Sequence, residues 1–213
     1  MLVSLRTPKR RRRPGPPTAL AGMLLAVTAA CSTNPPTVPP TLGQGDPTFA
    51  PTSLSRYDTS LISIVRAAFC DRVSGDAISA ALSGEPEGEQ SWRPGGPLPG
   101  SKAISNEFGC AWTSGDVRAR AWVFAPPVTT ERAVDLAVEV VDERCEPVQP
   151  VPDLGEPSAI QRCEDSSTRT SIHGLVGDAW VSCEISGLTG GASVDTQLVS
   201  EWCVAVLEAL RGT

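Results

Sequence analysis

The chain of 213 residues carries 18 lysine and arginine residues against 24 aspartate and glutamate residues, which gives a net charge of −6. Six basic residues precede position 14, so the rest of the chain has 12 basic against 24 acidic residues, a balance of −12. This composition offers no basic patch interleaved with aromatic residues for binding nucleic acid through its phosphates, and it argues against flat docking on anionic lipid.

The N-terminal residues follow the order of a secretory signal peptide. Basic residues from Arg6 to Arg13 precede an apolar run over Thr18–Ala30, and Cys31 follows directly. The run is shorter than the roughly 20 residues that a membrane-spanning helix needs. Val27–Cys31 resembles a bacterial lipobox. We therefore predict a signal peptide over residues 1–30, lipidation of Cys31, and an anchor on the outer face of the cell membrane.

Two further regions follow Cys31. Residues 32–53 are rich in proline, threonine and serine and lack apolar periodicity, which predicts that residues 31–53 form a tether with the lipid at its start. In polyproline II geometry about 20 residues at about 3.1 Å each span up to about 60 Å. Residues 54–213 are long enough to bury one core, and we expect them to form a single globular domain.

Six cysteines remain when Cys31 is set aside. An even set in an exported chain predicts three structural disulfides, which could form 15 different pairings. The chain has one histidine and no Cys-x-x-Cys pair, so we expect neither a metal site nor a redox cofactor. The six are Cys70, Cys110, Cys145, Cys163, Cys183 and Cys203.

The first part of the domain alternates predicted helix and loop. Apolar residues between Tyr57 and Ala68 recur at three- and four-residue steps, which predicts an amphipathic helix. Ser74 should cap a second, shorter helix that ends at Gly84. Four prolines and five glycines within Gly84–Lys102 predict a long loop. Its glutamates lack the spacing of an EF-hand, so a solvated acidic stretch is expected rather than a calcium site.

The second part is predicted to form a sheet flanked by helices. The clearest hairpin joins Glu107–Thr113 to Val117–Phe124, whose alternate residues are apolar on one face. A helix should follow over Thr129–Arg144, and three short strands over Ala159–Glu164, Thr168–His173 and Ala179–Ser186. Asp195 should cap a last helix with an apolar stripe.

Ordered short motifs carry a resemblance to a known family. After the lipobox and the tether come Cys70–Asp76 (CDRVSGD), Cys110–Trp112 (CAW), Gly174–Ala179 (GLVGDA) and a closing amphipathic helix. Over roughly Cys70–Leu210 this set resembles an uncharacterised family of actinobacterial envelope lipoproteins. The resemblance implies a Cys70–Cys110 disulfide and an antiparallel sheet with helices packed on it, but no agreed activity.

We therefore expect an α+β fold, with an antiparallel β-sheet, helices packed mainly on one face, and disulfide staples. The two remaining pairs, Cys145 with Cys163 and Cys183 with Cys203, are expected from their proximity in sequence alone.

The sequence contains no pattern typical of an enzyme active site. His173 is the single imidazole, and no Gly-x-Ser-x-Gly, His-Glu-x-x-His or P-loop pattern occurs, so a surface or hydrogen-bonded histidine is expected rather than a catalytic one. The favoured function is a lipid-anchored extracytoplasmic binding or interaction module for an envelope protein, a glycan or a small apolar ligand. The alternative is a wall-acting hydrolase that uses a carboxylate pair, which would require a cleft with two facing carboxyl groups of raised pKa.

Trp92 and Arg93 are the predicted contact surface. Trp92 stands outside any apolar periodicity and is flanked by proline and glycine, so partial exposure on a functional loop is expected. Trp112, Trp122, Trp180 and Trp202 fit core positions instead. In the alternative interpretation of Trp92, it folds back over the sheet as a lid, because a free indole lowers solubility.

Overall fold

The computed structural model describes residues 51–150, 153–164 and 167–212. The predicted signal peptide, the lipidation site Cys31 and the tether up to residue 50 lie outside these ranges. Within them the fold is α+β, with one antiparallel sheet, three α-helices and three disulfides, as predicted.

The sheet has seven strands in the described part of the chain, in the spatial order β1-β2-β3-β7-β6-β5-β4. Every neighbouring pair is antiparallel. The strands are β1 (Gly88–Trp92), β2 (Glu107–Ser114), β3 (Val117–Phe124), β4 (Cys145–Pro147), β5 (Ser158–Glu164), β6 (Thr168–Val176) and β7 (Ala179–Leu188).

The predicted hairpin and the three later strands are confirmed. β2 and β3 are joined through Gly115, which has a φ of +54° that suits glycine in a tight turn. β6 and β7 are joined in the same way through Gly177, at φ +63°. Each of these five strands begins and ends within three residues of its predicted bounds, whereas β1 and β4 were not predicted.

Helices α1 (Gly75–Leu82) and α3 (Ala192–Leu210) pack on one face of the sheet. The main core lies between them and the alternate strand residues that face them, including Ala119, Ala121 and Val123 of β3 and Val181, Cys183 and Ile185 of β7. Helix α2 (Thr130–Glu139) packs on the opposite face, where Ala133 and Leu136 meet Leu175 and Trp180 in a smaller core. The second face is therefore covered only in part.

The predicted helix from Tyr57 to Ala68 is wrong. One short 3₁₀ turn, Leu54–Arg56, precedes this segment and another, Thr59–Leu61, lies within it, and the rest of the segment is not helical. Its backbone bonds to the C-terminal end of the chain, where the Val65 amide donates to the Leu210 carbonyl at 2.8 Å. Pairing with a distant segment thus replaces the hydrogen bonds that a helix would have made within itself.

The prediction of an unstructured loop over Gly84–Lys102 is also wrong in part, because Gly88–Trp92 forms the edge strand β1. Its residues Gly88 to Ser91 are exposed, so the sequence shows no alternation of apolar and polar residues there. Hydrogen bonds to β2 hold this segment in the strand conformation, which its composition does not predict.

The helix caps and boundaries differ from the prediction at three points. Ser74 occupies the N-cap position of α1 but makes no side-chain cap hydrogen bond. Helix α2 begins after Thr129 as expected but ends at Glu139 rather than Arg144, because the side chain of Gln161 binds the Val140 carbonyl and the Asp142 amide. Helix α3 begins at Ala192, so Asp195 is not its cap.

Asp195 instead lies buried in the first turn of α3, where it accepts a hydrogen bond from Arg162 Nε at 3.2 Å. The negative charge still lies at the favourable, positive end of the helix dipole. An ion pair with β5 therefore ties the start of α3 to the sheet.

The disulfides pair in the sequential order expected from the sequence. Cys70 binds Cys110, Cys145 binds Cys163, and Cys183 binds Cys203. The first ties the segment before α1 to β2, the second joins the edge strand β4 to its neighbour β5, and the third fastens α3 to the central strand β7. Each disulfide therefore links a strand of the sheet either to a neighbouring strand or to a segment packed on the sheet.

Candidate functional site

The part of the second sheet face that α2 leaves uncovered concentrates arginine and tryptophan. Directly opposed residues of an antiparallel sheet share a face. Three rows of opposed residues cross this part of the sheet: Trp92, Gly109 and Trp122; Arg120 and Glu184; and Arg118, Ser186 and Arg169. We call this surface the Arg–Trp face and define it by Trp92, Arg118, Arg120, Trp122 and Arg169.

A Trp–Arg–Trp stack forms the middle of the Arg–Trp face. The guanidinium carbon of Arg120 lies 5.7 Å from the ring centroid of Trp92 and 5.2 Å from that of Trp122. Both distances are within the range of cation–π attraction. The stack orders the three side chains before any ligand arrives.

Gly109 makes room for this stack on β2. A Cβ atom at that position would lie 2.1 Å from the indole of Trp92, so any larger residue would push the ring off the sheet. Trp92 is 7% exposed. The expected exposure of Trp92 is therefore wrong, and the lid interpretation describes its position.

The Trp92 indole also has a polar partner. Its Nε1–H donates to the carboxylate of Glu107 at 3.0 Å. Burial raises the pKa of Glu107, while the hydrogen bond from Trp92 and the charge of Arg120 act in the opposite direction. A carboxyl group of raised pKa is thus present, but the groups that act on it are an indole and a guanidinium, not a second carboxyl group as the hydrolase alternative requires.

Glu184 links the arginines of neighbouring strands. Arg120 Nη1 donates to Oε1 of Glu184 at 3.4 Å, and Arg169 Nη1 lies 3.9 Å from Oε2. The Glu184 side chain is 9% exposed, whereas those of Arg120 and Arg169 are 29% and 33% exposed. A nearly buried carboxylate therefore holds two arginines whose outer parts reach solvent.

Arg118 lies at the end of the Arg–Trp face next to the β2–β3 turn. Its Nη2 donates to the Gln90 side chain at 3.2 Å. Burial, and next the nearby charge of Arg120, lowers the pKa of Arg118. Two neighbouring arginines, Arg118 and Arg120, thus place positive charge at this end of the face.

His173 lies under this surface and is not available to a substrate. Its Nδ1 lies 2.8 Å from Ser182 Oγ and its Nε2 lies 3.1 Å from Ser171 Oγ, so both ring nitrogens are engaged. Burial, and next the charge of Arg169, lowers the pKa of His173 to about 4. The imidazole is therefore neutral at pH 7 and joins β6 to β7 through its hydrogen bonds.

The predicted contact pair and the observed surface overlap in one residue. Trp92 belongs to the Arg–Trp face, and Arg93 is exposed beside a cavity of about 540 Å³ that Asp71 and Ser91 also line. Trp122 is half-exposed rather than a core residue, while Trp112, Trp180 and Trp202 are buried as predicted. The sequence signal for the site was the alternation of Arg118, Arg120 and Trp122 on the polar side of β3.

A second concave region lies beside the first half of α3. Its volume is about 990 Å³, and it separates the helix from the segment around Val148 and Pro150. Arg56 and Glu201 place opposite charges on its walls. It does not share residues with the Arg–Trp face.

No family model, no curated protein and no solved structure matches this chain. Across residues 51–150, 153–164 and 167–212, no helix has the length and apolar character needed to cross a membrane. The same residues gather no group of three histidine, cysteine or acidic side chains that could hold a metal ion. Function is therefore inferred from the Arg–Trp face itself.

Proposed function

We propose that this protein is a lipid-anchored extracytoplasmic binding module that takes an acidic ligand of the cell envelope on the Arg–Trp face. The observation that carries this proposal is a half-buried tryptophan, Trp122, stacked on Arg120 in the part of the second sheet face that α2 leaves uncovered. Tryptophan and arginine are the residues most enriched at binding hot spots.

The physical state of the Arg–Trp face supports binding. Arg120 is already fixed by Trp92, Trp122 and Glu184, so little side-chain entropy remains to be lost when a ligand arrives. The underlying scaffold is a central pair of strands with a disulfide to α3. A rigid support of this kind favours affinity and specificity together.

Export is supported by the signal-like N-terminus, the resemblance to envelope lipoproteins and the three disulfides, which persist in oxidising compartments. A tether of about 20 residues would let the domain reach ligands up to about 60 Å from the bilayer.

The anchor is tested by Cys31→Ala. A diacylglyceryl group supplies two acyl chains, each contributing about 0.8 kcal/mol per buried methylene, which is enough for stable attachment. We expect the variant to leave the membrane fraction or to stay unprocessed, as measured by fractionation and intact mass. Fractionation and mass identical to those of the unchanged protein would rule out lipidation at Cys31.

The binding face is tested by photo-crosslinking in the living cell. A photoreactive residue at Gln90, an exposed position on the Arg–Trp face, is expected to give a discrete adduct, while one at Val138, exposed on α2, is expected to give none. In the Gln90 background, Trp122→Ala should lower the adduct yield at least about tenfold, the effect of losing a hot spot of 2 kcal/mol or more.

The control in that background is Val138→Ala, which should leave the yield unchanged. Equal adducts from both photoreactive positions, or an adduct that survives Trp122→Ala in a folded protein, would contradict the proposed face.

A further inference from the structure

We infer that the ligand of the Arg–Trp face is recognised through a phosphate group bound over Ser186 between Arg118 and Arg169. This inference rests on the proposed binding function and names its ligand class. Ser186 is the direct cross-strand partner of both arginines, so Arg118, Ser186 and Arg169 form one row across β3, β7 and β6. Neighbouring strands lie about 4.8 Å apart, which puts the two arginine Cα atoms about 10 Å apart, a span that two long side chains can close around one group. Arg118 Nη2 now donates to Gln90 and Arg169 Nη2 to Cys163 Sγ, so binding exchanges these contacts for contacts with the ligand.

The three arginines keep donors that no group in the described part of the chain accepts. Nε of Arg118, Nε of Arg120 and Nε of Arg169 are each buried and without a hydrogen-bond partner. Buried donors in folded proteins are nearly always paired, and an orphan points to a missing acceptor. Three orphans of one chemical type on one face indicate an acceptor with several oxygen atoms.

The charge balance favours an anion. Arg118, Arg120 and Arg169 supply three positive charges, Glu184 pairs with Arg120 and Arg169, and Glu107 also acts on Arg120, so the arginines outnumber the carboxyl groups by one. Asp142, which also acts on Arg169, is already ion-paired with Arg144. Glu107 acts on Arg120 but is opposite Phe124, six residues along β3 from Arg118, so the remaining positive charge lies at the row of Arg118, Ser186 and Arg169.

A phosphate monoester matches this surface better than a carboxylate does. At neutral pH it carries close to two negative charges and offers three terminal acceptor oxygens. The planar guanidinium fork binds such oxygens in pairs, which an ammonium group cannot do. The Ser186 hydroxyl, half-buried between the two arginines, adds a donor that reaches the same group.

The test is a titration of the ¹⁵N-labelled full chain with inorganic phosphate, followed through the arginine Nε–H resonances at constant ionic strength. We expect saturable shifts for Arg118 and Arg169, with sulfate weaker and acetate much weaker. Arg118→Gln and Arg169→Gln should each raise the Kd at least about tenfold, as for loss of a hydrogen bond to a charged group. Arg118→Lys, which keeps the charge but lacks the fork, should also weaken binding.

Arg93→Gln removes an exposed arginine away from the row and should change the Kd less than about twofold, since only distant screened charge is lost. Shifts that grow without saturation, equal affinity for acetate, or equal weakening by Arg93→Gln would each overturn the phosphate site. Arg169→Gln removes a partner of Glu184 and could prevent folding. In that case the Kd of Arg118→Gln for phosphate tests the site.

The two proposals fail separately. A Trp122-dependent crosslink at residue 90 without saturable phosphate binding would reject the phosphate group and keep the binding face. Saturable phosphate binding without any such crosslink would keep the anion site and reject the envelope ligand.

Discussion

Replacing Trp92 by alanine is expected to destabilise the domain by about 3–5 kcal/mol, the range for truncation of a buried tryptophan. The indole is 7% exposed, contacts the backbone at Gly109, stacks on Arg120 and donates to Glu107. Its removal uncovers the sheet between β1 and β3 and leaves the half-buried carboxyl of Glu107 without its donor. Each of these losses acts on the folded state, so the effects add in the same direction.

Chemical denaturation followed by the fluorescence of the remaining tryptophans measures this change. The control is Arg93→Ala, the exposed neighbour on the same strand end, which should shift stability by no more than about 0.5 kcal/mol. Trp92→Phe should fall between the two, because it keeps an aromatic ring but lacks the N–H. A loss below about 1 kcal/mol for Trp92→Ala would mean that Trp92 does not cover the sheet, against the expectation for a buried ring.

Local patterns predicted the strands well where a strand has one buried and one open face. In β3 the buried Ala119, Ala121 and Val123 alternate with Arg118, Arg120 and Trp122, which is the pattern that the sequence shows. The edge strand β1 has no such contrast, since its first four residues are exposed. Its order comes from hydrogen bonds to β2, which is a tertiary effect that no window of sequence contains.

The segment before Cys70 has a clear sequence pattern, but the pattern predicts the wrong structure. Its apolar residues follow a helical period, yet Ile64 pairs with Arg211 across the whole length of the domain, and Gly212 N–H donates to the Ser63 carbonyl. A helical spacing of apolar residues places them on one side only if the backbone is helical. In this segment, hydrogen bonds to the distant C-terminal residues determine the backbone conformation instead.

The Arg–Trp face could be predicted only in part. The sequence indicates a polar side of β3, but Arg169 is about 50 residues further along the chain and reaches the same row through the register of β7 and β6. The stack of Arg120 between Trp92 and Trp122 likewise needs the pairing of β1 with β2. Register is set by the whole sheet, so the site becomes visible only with the fold.

Reduction of the three disulfides is expected to cost about 10 kcal/mol of stability in total, at about 3–4 kcal/mol each in the chain-entropy model. The bonds close sequence separations of 40, 18 and 20 residues. Domains of this size are stable by about 5–15 kcal/mol, so most of the stability should disappear. We expect the reduced protein to be largely unfolded at 37 °C, as measured by circular dichroism and by denaturant titration with and without reductant.

The order of reduction should follow access to the sulfur atoms. Cys183 and Cys203 are fully buried between β7 and α3 and Cys145 is 9% exposed, whereas Cys70 is half-buried and lines a cavity. Alkylation and peptide mapping after mild reduction should therefore find Cys70 and Cys110 labelled first, because thiol–disulfide exchange requires direct attack on a sulfur. The control is the double variant Cys145→Ser/Cys163→Ser, which should lose only about 3 kcal/mol and keep the other two bonds. An unchanged denaturation midpoint after complete reduction, verified by mass, would show that the three bonds do not stabilise the fold.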